Sequence, residues 1–222
     1  MALSKSSINE QTALIKKLES QKVYLIRKRW MDTFLASFGL VFLSPLFFIV
    51  TILIKIEDRR AKVIFKQARV GQDGQIFYMY KFRSMVSNAE QLLEDLLIKN
   101  DTTGAMFKMK EDPRVTKVGK FIRKTSIDEL PQLINVLKGE MTLVGPRPPL
   151  PREVEKYNEH HRQRLIVKPG CTGLWQVSGR SNIGFEEMIK LDLEYIEKRN
   201  IIYDVKIIFK TIWVLFGSKD AY

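Results

Sequence analysis

The feature that most constrains this chain is an uncharged apolar segment near its amino-terminal end. Residues 33–54 carry no charged side chain, and the charges that bound the segment are Asp32 and Lys55. As a helix, these 22 residues would be roughly 33 Å long, at about 1.5 Å per residue, which matches the hydrocarbon core of a bilayer. No A-x-A-like cleavage site follows the segment, so a secretory signal peptide is rejected. We therefore predict that residues 33–54 enter a membrane.

The middle of the segment predicts a sharp bend. Pro45 lacks a backbone N–H and clashes with the preceding turn, and the hydroxyl of Ser44 can bond back to a freed carbonyl. Both flanks are basic, with Arg27, Lys28 and Arg29 before the segment and Lys55, Arg59, Arg60, Lys62, Lys66 and Arg69 after it. Because basic flanks favour the cytoplasmic side, residues 25–56 are predicted to form a re-entrant helix-break-helix. A tilted, proline-kinked transmembrane span stays open as the alternative.

Composition narrows the class of the whole chain. Its 222 residues, 45% hydrophobic and 10% aromatic, exclude a disordered chain and a small disulfide-stapled module. A mean hydropathy of −0.14 excludes a multi-spanning membrane protein. The single Cys171 excludes an internal disulfide, and the adjacent His160 and His161 make no zinc site without further ligands. The net charge of +12 is concentrated around the apolar segment, since residues 1–70 hold 13 Lys and Arg against 5 Asp and Glu.

The pattern after the apolar segment predicts a mixed α/β, mostly helical domain over residues 57–222. Alternation around Asp73 and Gly74 predicts a β-hairpin within residues 63–85. Helices are predicted over residues 86–99, 128–139, 152–164, 185–198 and 204–216. Pro131 is tolerable only in the first turn of the second of these helices, which Gly139 is expected to end. The apolar face of residues 204–216 fits either a helix docked on the core or an interfacial helix on the bilayer.

Two adjacent carboxylates, Asp128 and Glu129, are the main candidates for chemistry. The chain contains no P-loop, Rossmann, zincin or G-x-S-x-G sequence. At the predicted start of a helix, Asp128 most often caps backbone N–H groups. A carboxylate in that place is also held ionised, as a nucleophile that attacks phosphorus requires. Mg²⁺ and nearby arginines would then neutralise the phosphate oxygens, so both roles stay open.

Five segments of the chain, taken in order, carry a specific resemblance. They are RKRWMD, the apolar run with Ser44 and Pro45, YKFRSM, IRKTSIDELPQLINVLKGEMTLVGPRP and KPGCTGLWQVSGR. Together, over about residues 25–215, they resemble the monotopic phosphoglycosyl transferases, the bacterial sugar transferase family. The resemblance implies transfer of a sugar-1-phosphate from a UDP-sugar to polyprenyl (undecaprenyl) phosphate, which yields polyprenyl-diphosphate-sugar and UMP. This reaction initiates exopolysaccharide or capsule synthesis.

The same resemblance implies a location and partners. The catalytic domain would lie on the cytoplasmic face of the bacterial cytoplasmic membrane, in contact with its lipids, and would supply downstream glycosyltransferases. Many relatives carry a large multi-spanning amino-terminal region, whereas residues 1–24 here are a short polar extension. The segment EMTLVGPRPPLPREVEKY is similar in style to exopolysaccharide or capsule enzymes that use glucose or galactose, and the motifs themselves do not separate these sugars from N-acetylated ones.

Roles for individual residues follow from the resemblance. It implies that Asp128 is a covalent nucleophile, that Glu129 is its partner, and that the two hold Mg²⁺, Asp128 first. The resemblance implies that four basic residues bind substrate phosphates: Lys81, Arg123, Arg147 and Arg180. The guanidinium groups of the three arginines can each bind two phosphate oxygens. For any one arginine, a surface salt bridge is the alternative.

The membrane segment also matches the family by residue. Lys28 and Arg29 match a basic pair before the re-entrant helix, and Asp32 matches an acidic residue one turn later. Ser44 and Pro45 match the break in that helix.

Two other classes of function stay open at this level. The first is a membrane-tethered nucleic-acid-binding protein, which the basic charge favours and the location of that charge disfavours, so no nucleic acid is expected as a partner. The second is a non-catalytic scaffold that recruits glycan enzymes to the bilayer, in which Asp128 and Glu129 only cap a helix.

Overall fold

The computed structural model describes the backbone of residues 5–89, 92, 112–179 and 183–217, and the side chains of residues 21–89, 92, 112–179 and 183–214. The helices are α1 (Lys5–Phe42), α2 (Ser44–Glu57), α3 (Lys117–Lys124), α4 (Gln132–Lys138), α5 (Pro151–Val154), α6 (Glu159–Arg162), α7 (Leu174–Ser178), α8 (Phe185–Lys198) and α9 (Ile201–Gly217). The strands are β1 (Ile64–Val70), β2 (Ile76–Phe82), β3 (Thr142–Val144) and β4 (Gly170–Thr172). The predicted mixed α/β, mostly helical class is confirmed.

The apolar segment forms two helices that meet at Leu43. Helices α1 and α2 are bent by 58° at this break. Pro45 lies in the first turn of α2, where no helical partner is lost, and the Ser44 hydroxyl donates to the Val41 carbonyl at 2.8 Å. The predicted bend is confirmed. Among the described helices, none alone is long and apolar enough to cross a membrane. The bent pair α1–α2, taken together, has sufficient length and apolar character.

The predicted β-hairpin is also confirmed. Strands β1 and β2 are antiparallel, with Ile64 opposite Phe82. Asp73 and Gly74 both have positive φ, at 55° and 80°, a conformation that Gly adopts freely and Asp tolerates. The turn chemistry of these two residues therefore sets the register of the hairpin.

Three clusters of buried side chains join these elements. The first, between α1, β2 and α4, consists of Ala36, Phe77, Met79, Val136 and Met141. The second, between α2, β2 and α3, consists of Val50, Ile54, Phe82 and Ile122. The third, between β3, α7, α8 and α9, consists of Val144, Val177, Tyr195 and Ile207. Helices α1 and α2 therefore pack on the same body as the hairpin.

A second, parallel pair of strands was not predicted. Strand β3 lies beside β4, with Thr142 opposite Gly170 and Val144 opposite Thr172. A Cβ at Gly170 would lie 2.1 Å from the amide nitrogen of Gly145, so this approach requires glycine. Strands of three residues are too short to show an alternating pattern, which explains why the sequence did not indicate them.

The predicted helix over residues 152–164 is wrong as a single element. It is split into α5, α6 and a 3₁₀ turn, Gln163–Ile166. Asn158 starts a new helix, because its side chain accepts the N–H of His161 at 2.9 Å. The helix over residues 185–198 is confirmed as α8, and most of the helix predicted over residues 86–99 lies outside the described residues.

Helix α9 has one face docked on the domain and one face exposed. It begins three residues before the helix predicted over residues 204–216. Asp204 and Ile207 are buried against the domain, as expected for a docked helix. Ile202, Phe209 and Trp213 are exposed, and Trp213 retains 79% of its accessible surface. An exposed apolar face of this kind marks an interaction surface.

Candidate active site

The two carboxylates lie in a tight turn between α3 and α4. Ser126 has a φ of 56°, in the left-handed region, and a 3₁₀ turn, Ile127–Glu129, follows it. Helix α4 begins only at Gln132, with Pro131 at its cap position and no capping side chain. The predicted α-helical start at Asp128 is therefore wrong, and so is the helix-cap interpretation of Asp128. The end of α4 is as predicted, since Gly139 has a φ of 79° there.

The Asp128 carboxylate is buried, with 7% of the residue exposed. Burial raises its pKa to about 6, and the charge of Glu129 raises it too, whereas Lys81 and Arg123 lower it. The sequence argument expected the opposite direction, because it placed Asp128 at the positive end of a helix. Asp128 lies outside α4 and does not cap that helix, so the helix N-terminus does not lower its pKa. Desolvation is then the largest effect, and it raises the pKa.

Glu129 has a different environment from its neighbour. Its pKa is lowered, because Lys81 and the more distant Arg69 and Arg147 outweigh the opposing effect of desolvation. Lys81 Nζ donates to Glu129 Oε1 at 2.6 Å. Adjacent carboxylates whose pKa values are pushed apart are typical of sites that assign them different chemical roles.

Two of the predicted phosphate-binding arginines lie near these carboxylates, and each has a protein partner. Arg123 Nε donates to Ser84 Oγ at 2.8 Å. Arg147 Nη1 donates to Glu153 Oε2 at 3.2 Å, and Glu153 is 2% exposed. The salt bridge considered as the alternative for Arg147 is therefore present, with a buried partner. Arg180 lies outside the described residues.

Arg69 belongs to this region, and sequence reasoning missed it. The residue is buried in β1, where it donates to the Pro148 carbonyl at 3.0 Å and to Gln67 Oε1 at 2.8 Å. Within the described part of the chain, its buried Nε has no hydrogen-bond partner. The sequence analysis counted Arg69 only among the basic flank of the apolar segment, and its place on the buried face of β1 depends on strand register.

The basic pair of the predicted membrane motif binds groups that lie outside the apolar segment. Lys28 Nζ lies 2.8 Å from Asp204 Oδ2, and both side chains are buried. Arg29 donates to the carbonyls of Val136 and Leu137, at 2.5 and 2.7 Å. These carbonyls belong to the last turn of α4, where the usual i+4 donors are missing, although the Val136 carbonyl also accepts the N–H of Gly139 at 3.0 Å. Arg29 thus caps the helix that follows the carboxylate turn.

Asp32 ties the same helix to the parallel strands. Its carboxylate accepts hydrogen bonds from the Thr142 hydroxyl and from the Leu143 amide. Three positions within two turns of α1 are therefore fixed to α9, α4 and β3 respectively.

The carboxylate pair is the part of this site that offers oxygen donors to a metal ion. No group of three or more His, Cys, Asp or Glu suited to a metal ion occurs among the residues whose side chains are described. Asp128 and Glu129 are adjacent oxygen donors, which suit hard divalent cations.

Comparison with known proteins identifies the family of the chain. Residues 23–218 match the bacterial sugar transferase family. The chain belongs to that family. This bacterial sugar transferase is 53% identical over 201 residues to the galactosyl transferase CpsE of Streptococcus agalactiae, which covers 89% of this chain and 44% of that protein.

Two further relatives are similar over almost the same part of the chain. The undecaprenyl-phosphate galactose phosphotransferase of Salmonella typhimurium is 43% identical over 199 residues, which is 88% of this chain and 41% of that protein. The exopolysaccharide production protein ExoY of Sinorhizobium fredii is 38% identical over 201 residues, 89% of this chain and 88% of that protein. The chain thus spans less than half of the first two relatives and most of the third.

Proposed function

We propose that this bacterial sugar transferase moves a sugar-1-phosphate from a UDP-sugar to polyprenyl phosphate, with undecaprenyl phosphate as the natural acceptor. The observation that carries the proposal is the meeting of Lys81, Asp128 and Glu129 in one site, near Arg123 and Arg147. The printed name of the Salmonella relative, an undecaprenyl-phosphate galactose phosphotransferase, supports the same reaction. The product initiates a surface polysaccharide, and downstream glycosyltransferases extend it.

Asp128 acts as the nucleophile in this proposal. Its carboxylate oxygen attacks the β-phosphorus of the donor, the bond from that phosphorus to the bridging oxygen breaks, and UMP leaves. The phosphosugar is then held on Asp128 until an oxygen of polyprenyl phosphate displaces the carboxylate. A pKa of about 6 leaves Asp128 ionised at neutral pH and more basic than an ordinary carboxylate.

The surrounding cations stabilise the charge that the substrates bring. A diphosphate donor and a phosphate acceptor both place anionic oxygens beside the carboxylates, and guanidinium groups bind such oxygens in pairs. We assign this role to Arg123, Arg147 and Arg180, and we assign to Lys81 the positioning of Glu129.

The donor set fits Mg²⁺. This ion usually binds proteins through one or two carboxylates and completes its coordination with water and substrate phosphates. Asp128 is the first ligand that we propose and Glu129 the second. When bound, Mg²⁺ supplies positive charge to the phosphate oxygens in the transition state.

The lipid acceptor fits a membrane segment that enters and leaves on one face. Polyprenyl phosphate keeps its tail in the bilayer and its phosphate at the interface. A re-entrant α1–α2 pair, bent by 58°, would hold the active site at that height on the cytoplasmic face of the cytoplasmic membrane. The exposed apolar face of α9, with Phe209 and Trp213, would lie against the same interface.

A transfer assay tests the proposal. Radiolabelled UDP-galactose, UDP-glucose and UDP-N-acetylated sugars are each incubated with the protein, Mg²⁺ and undecaprenyl phosphate, and label is measured in the lipid fraction. We expect transfer from at least one donor, and we expect Asp128→Asn to abolish it. Asp73→Asn makes the same chemical change on the exposed hairpin turn and should leave the rate unchanged. Absence of transfer from every UDP-sugar would contradict the proposal.

A further inference from the structure

The outer edge of β2 has an unusual partner. Among the described residues, β1 is the one strand that pairs with β2, so the other edge of β2 needs separate partners for its backbone groups. Asn135 of α4 supplies them. Its Oδ1 accepts the N–H of Tyr80 at 3.0 Å, and its Nδ2 donates to the carbonyl of Tyr78 at 2.8 Å. A carboxamide has the same donor and acceptor as a peptide group, so Asn135 pairs with this edge as a neighbouring strand would.

The orientation of the Asn135 carboxamide is fixed from a second side. Nδ2 also donates to Glu140 Oε2 at 2.7 Å. An ionised carboxylate only accepts hydrogen bonds, so the amide group must face Glu140 and the carbonyl must face Tyr80. Asn135 is fully buried, with 0% of its surface exposed, so its carboxamide relies on these three part-buried hydrogen bonds for its polar partners.

This contact closes a circuit of covalent and hydrogen-bonded links that includes Glu129. Along the chain, Glu129 leads through Pro131 into α4 and so to Asn135. Across space, Asn135 holds Tyr80, the next residue in β2 is Lys81, and Lys81 Nζ returns to Glu129 at 2.6 Å. Successive strand residues point to opposite faces, so the position of the Tyr80 backbone determines where the Lys81 side chain emerges.

Packing alone does not fix that position. Phe77 and Met79 lie against Val136 in the first buried cluster, and apolar contact of this kind is not directional. The hydrogen bonds of Asn135 are directional, and they act on the residue next to Lys81.

We propose that Asn135 is a positioning residue for sugar-phosphate transfer: it fixes β2 against α4 so that Lys81 stays bonded to Glu129. The inference rests on the proposed function for its kinetic consequences. Asn135 itself touches no substrate and acts through Lys81.

Asn135→Asp is the first variant that tests this role. It keeps the shape and the Oδ1 acceptor, and it replaces the Nδ2 donor by an acceptor that faces the Tyr78 carbonyl and Glu140. We expect kcat to fall about 10- to 100-fold, because small displacements of positioning groups cost this much, while KM for the UDP-sugar changes less than about threefold. The melting temperature should also fall by several degrees, because the new acceptor faces the Tyr78 carbonyl and Glu140, so kcat is measured at a temperature where the variant is fully folded.

The chain offers a matched control and a rescue. Asn200 also uses its carboxamide on two backbone groups, the Lys198 carbonyl at 3.0 Å and the Tyr203 amide at 2.9 Å, in the turn between α8 and α9. Asn200→Asp should leave kcat unchanged. In the double variant N135D/E140Q, the glutamine supplies a new donor to the aspartate, and we expect most of the lost kcat to return.

A double-mutant cycle separates positioning from general stability. If Asn135 acts through Lys81, then N135D/K81Q should be no slower than K81Q alone, within about twofold. A combined loss equal to the product of the two single losses, or a fall in melting temperature that accounts for the lost rate, would overturn the proposal. If N135D does not fold, the same cycle is run with N135D/E140Q.

Hydrogen exchange distinguishes failure of this inference from failure of the proposed function. Asn135→Leu is nearly isosteric and removes the acceptor for Tyr80, so we expect the Tyr80 amide to exchange at least tenfold faster while amides of β1 stay protected. Unchanged Tyr80 exchange would overturn the positioning role whatever the enzyme activity. Faster exchange in a protein that transfers no sugar phosphate would count against the proposed function alone.

Discussion

Asp128 is a buried carboxylate whose charged form the fold disfavours. Its ordinary pKa of 3.8 is raised to about 6, first of all by burial. Because the folded pKa lies above the unfolded one, the protonated carboxyl stabilises the fold at low pH. That stability is fully present below about pH 4 and is lost as the pH rises through about 6. A nucleophile that is ionised at neutral pH therefore lowers the stability of the protein there.

Asp128→Asn should accordingly stabilise the protein while it abolishes transfer. In buffer without divalent cations, we expect the free energy of unfolding at pH 7.5 to rise by on the order of 2 kcal/mol, since each pKa unit corresponds to about 1.4 kcal/mol. At pH 4 the gain should vanish, because the wild-type carboxyl is then mostly protonated. Urea unfolding of the wild type and the variant in detergent, at pH 7.5 and at pH 4, measures the change in free energy of unfolding at each pH. An equal change at both values would show that Asp128 is not desolvated in the fold.

At this scale, the sequence named the candidate residues and missed their environment. The adjacent acidic pair Asp128 and Glu129 is visible in the sequence, whereas Lys81 was implied only by the family resemblance. The direction of the Asp128 pKa could not be predicted, since it depends on a 3₁₀ turn that ends before Pro131. The buried partner of Arg147, Glu153, could not be predicted either, because it comes from the split of the helix predicted over residues 152–164.

At the scale of elements, α1 is held to the catalytic domain by side chains that the sequence assigned to the membrane. Lys28 and Arg29 stand out as part of a basic flank, and the family resemblance implied a motif that also includes Asp32. Neither a charge pattern nor a motif match shows which of these charges have protein partners. The Asp204 carboxylate binds Lys28 and also accepts the hydroxyls of Tyr24 and Tyr195, at 3.0 and 2.7 Å. This buried network joins α1, α8 and α9.

Lys28→Met should break that network. It leaves the Asp204 carboxylate, which is 0% exposed, without its counter-charge, and removal of one partner from a buried pair costs about 3–5 kcal/mol. We expect a clear loss of thermal stability in detergent. Lys22→Met changes an exposed lysine of the same helix and should have no effect. Equal stability of the two variants would contradict the anchoring role, and K28M/D204N should recover most of the loss.

The whole molecule combines a bent pair of apolar helices with a charged candidate site, and the proposed topology depends on whether the two ends of the helix pair lie on the same face of a membrane. Both flanks of the apolar run are basic and the helix pair is bent by 58°, which favours return to the same face. The sequence predicted the break because Pro45 and Ser44 are visible in it. The direction of the second helix is set by the packing of Val50 and Ile54 on Ile122, which only the folded domain supplies.

Labelling in sealed vesicles tests that topology. Single cysteines replace Lys22 and Lys62, which are both exposed, in a chain whose Cys171 is replaced by alanine. A membrane-impermeant maleimide should label both positions from the same side. Labelling of the two positions from opposite sides would show that the segment spans the bilayer.

Donor-only incubation tests the central claim, the covalent role of Asp128, most directly. The protein is mixed with UDP-sugar and Mg²⁺ without a lipid acceptor, and released UMP and the mass of the intact protein are measured. We predict close to one equivalent of UMP and a mass gain of one sugar phosphate, both lost in Asp128→Asn. Release of UMP only when polyprenyl phosphate is also present, with no mass gain, would contradict the account and indicate direct in-line transfer.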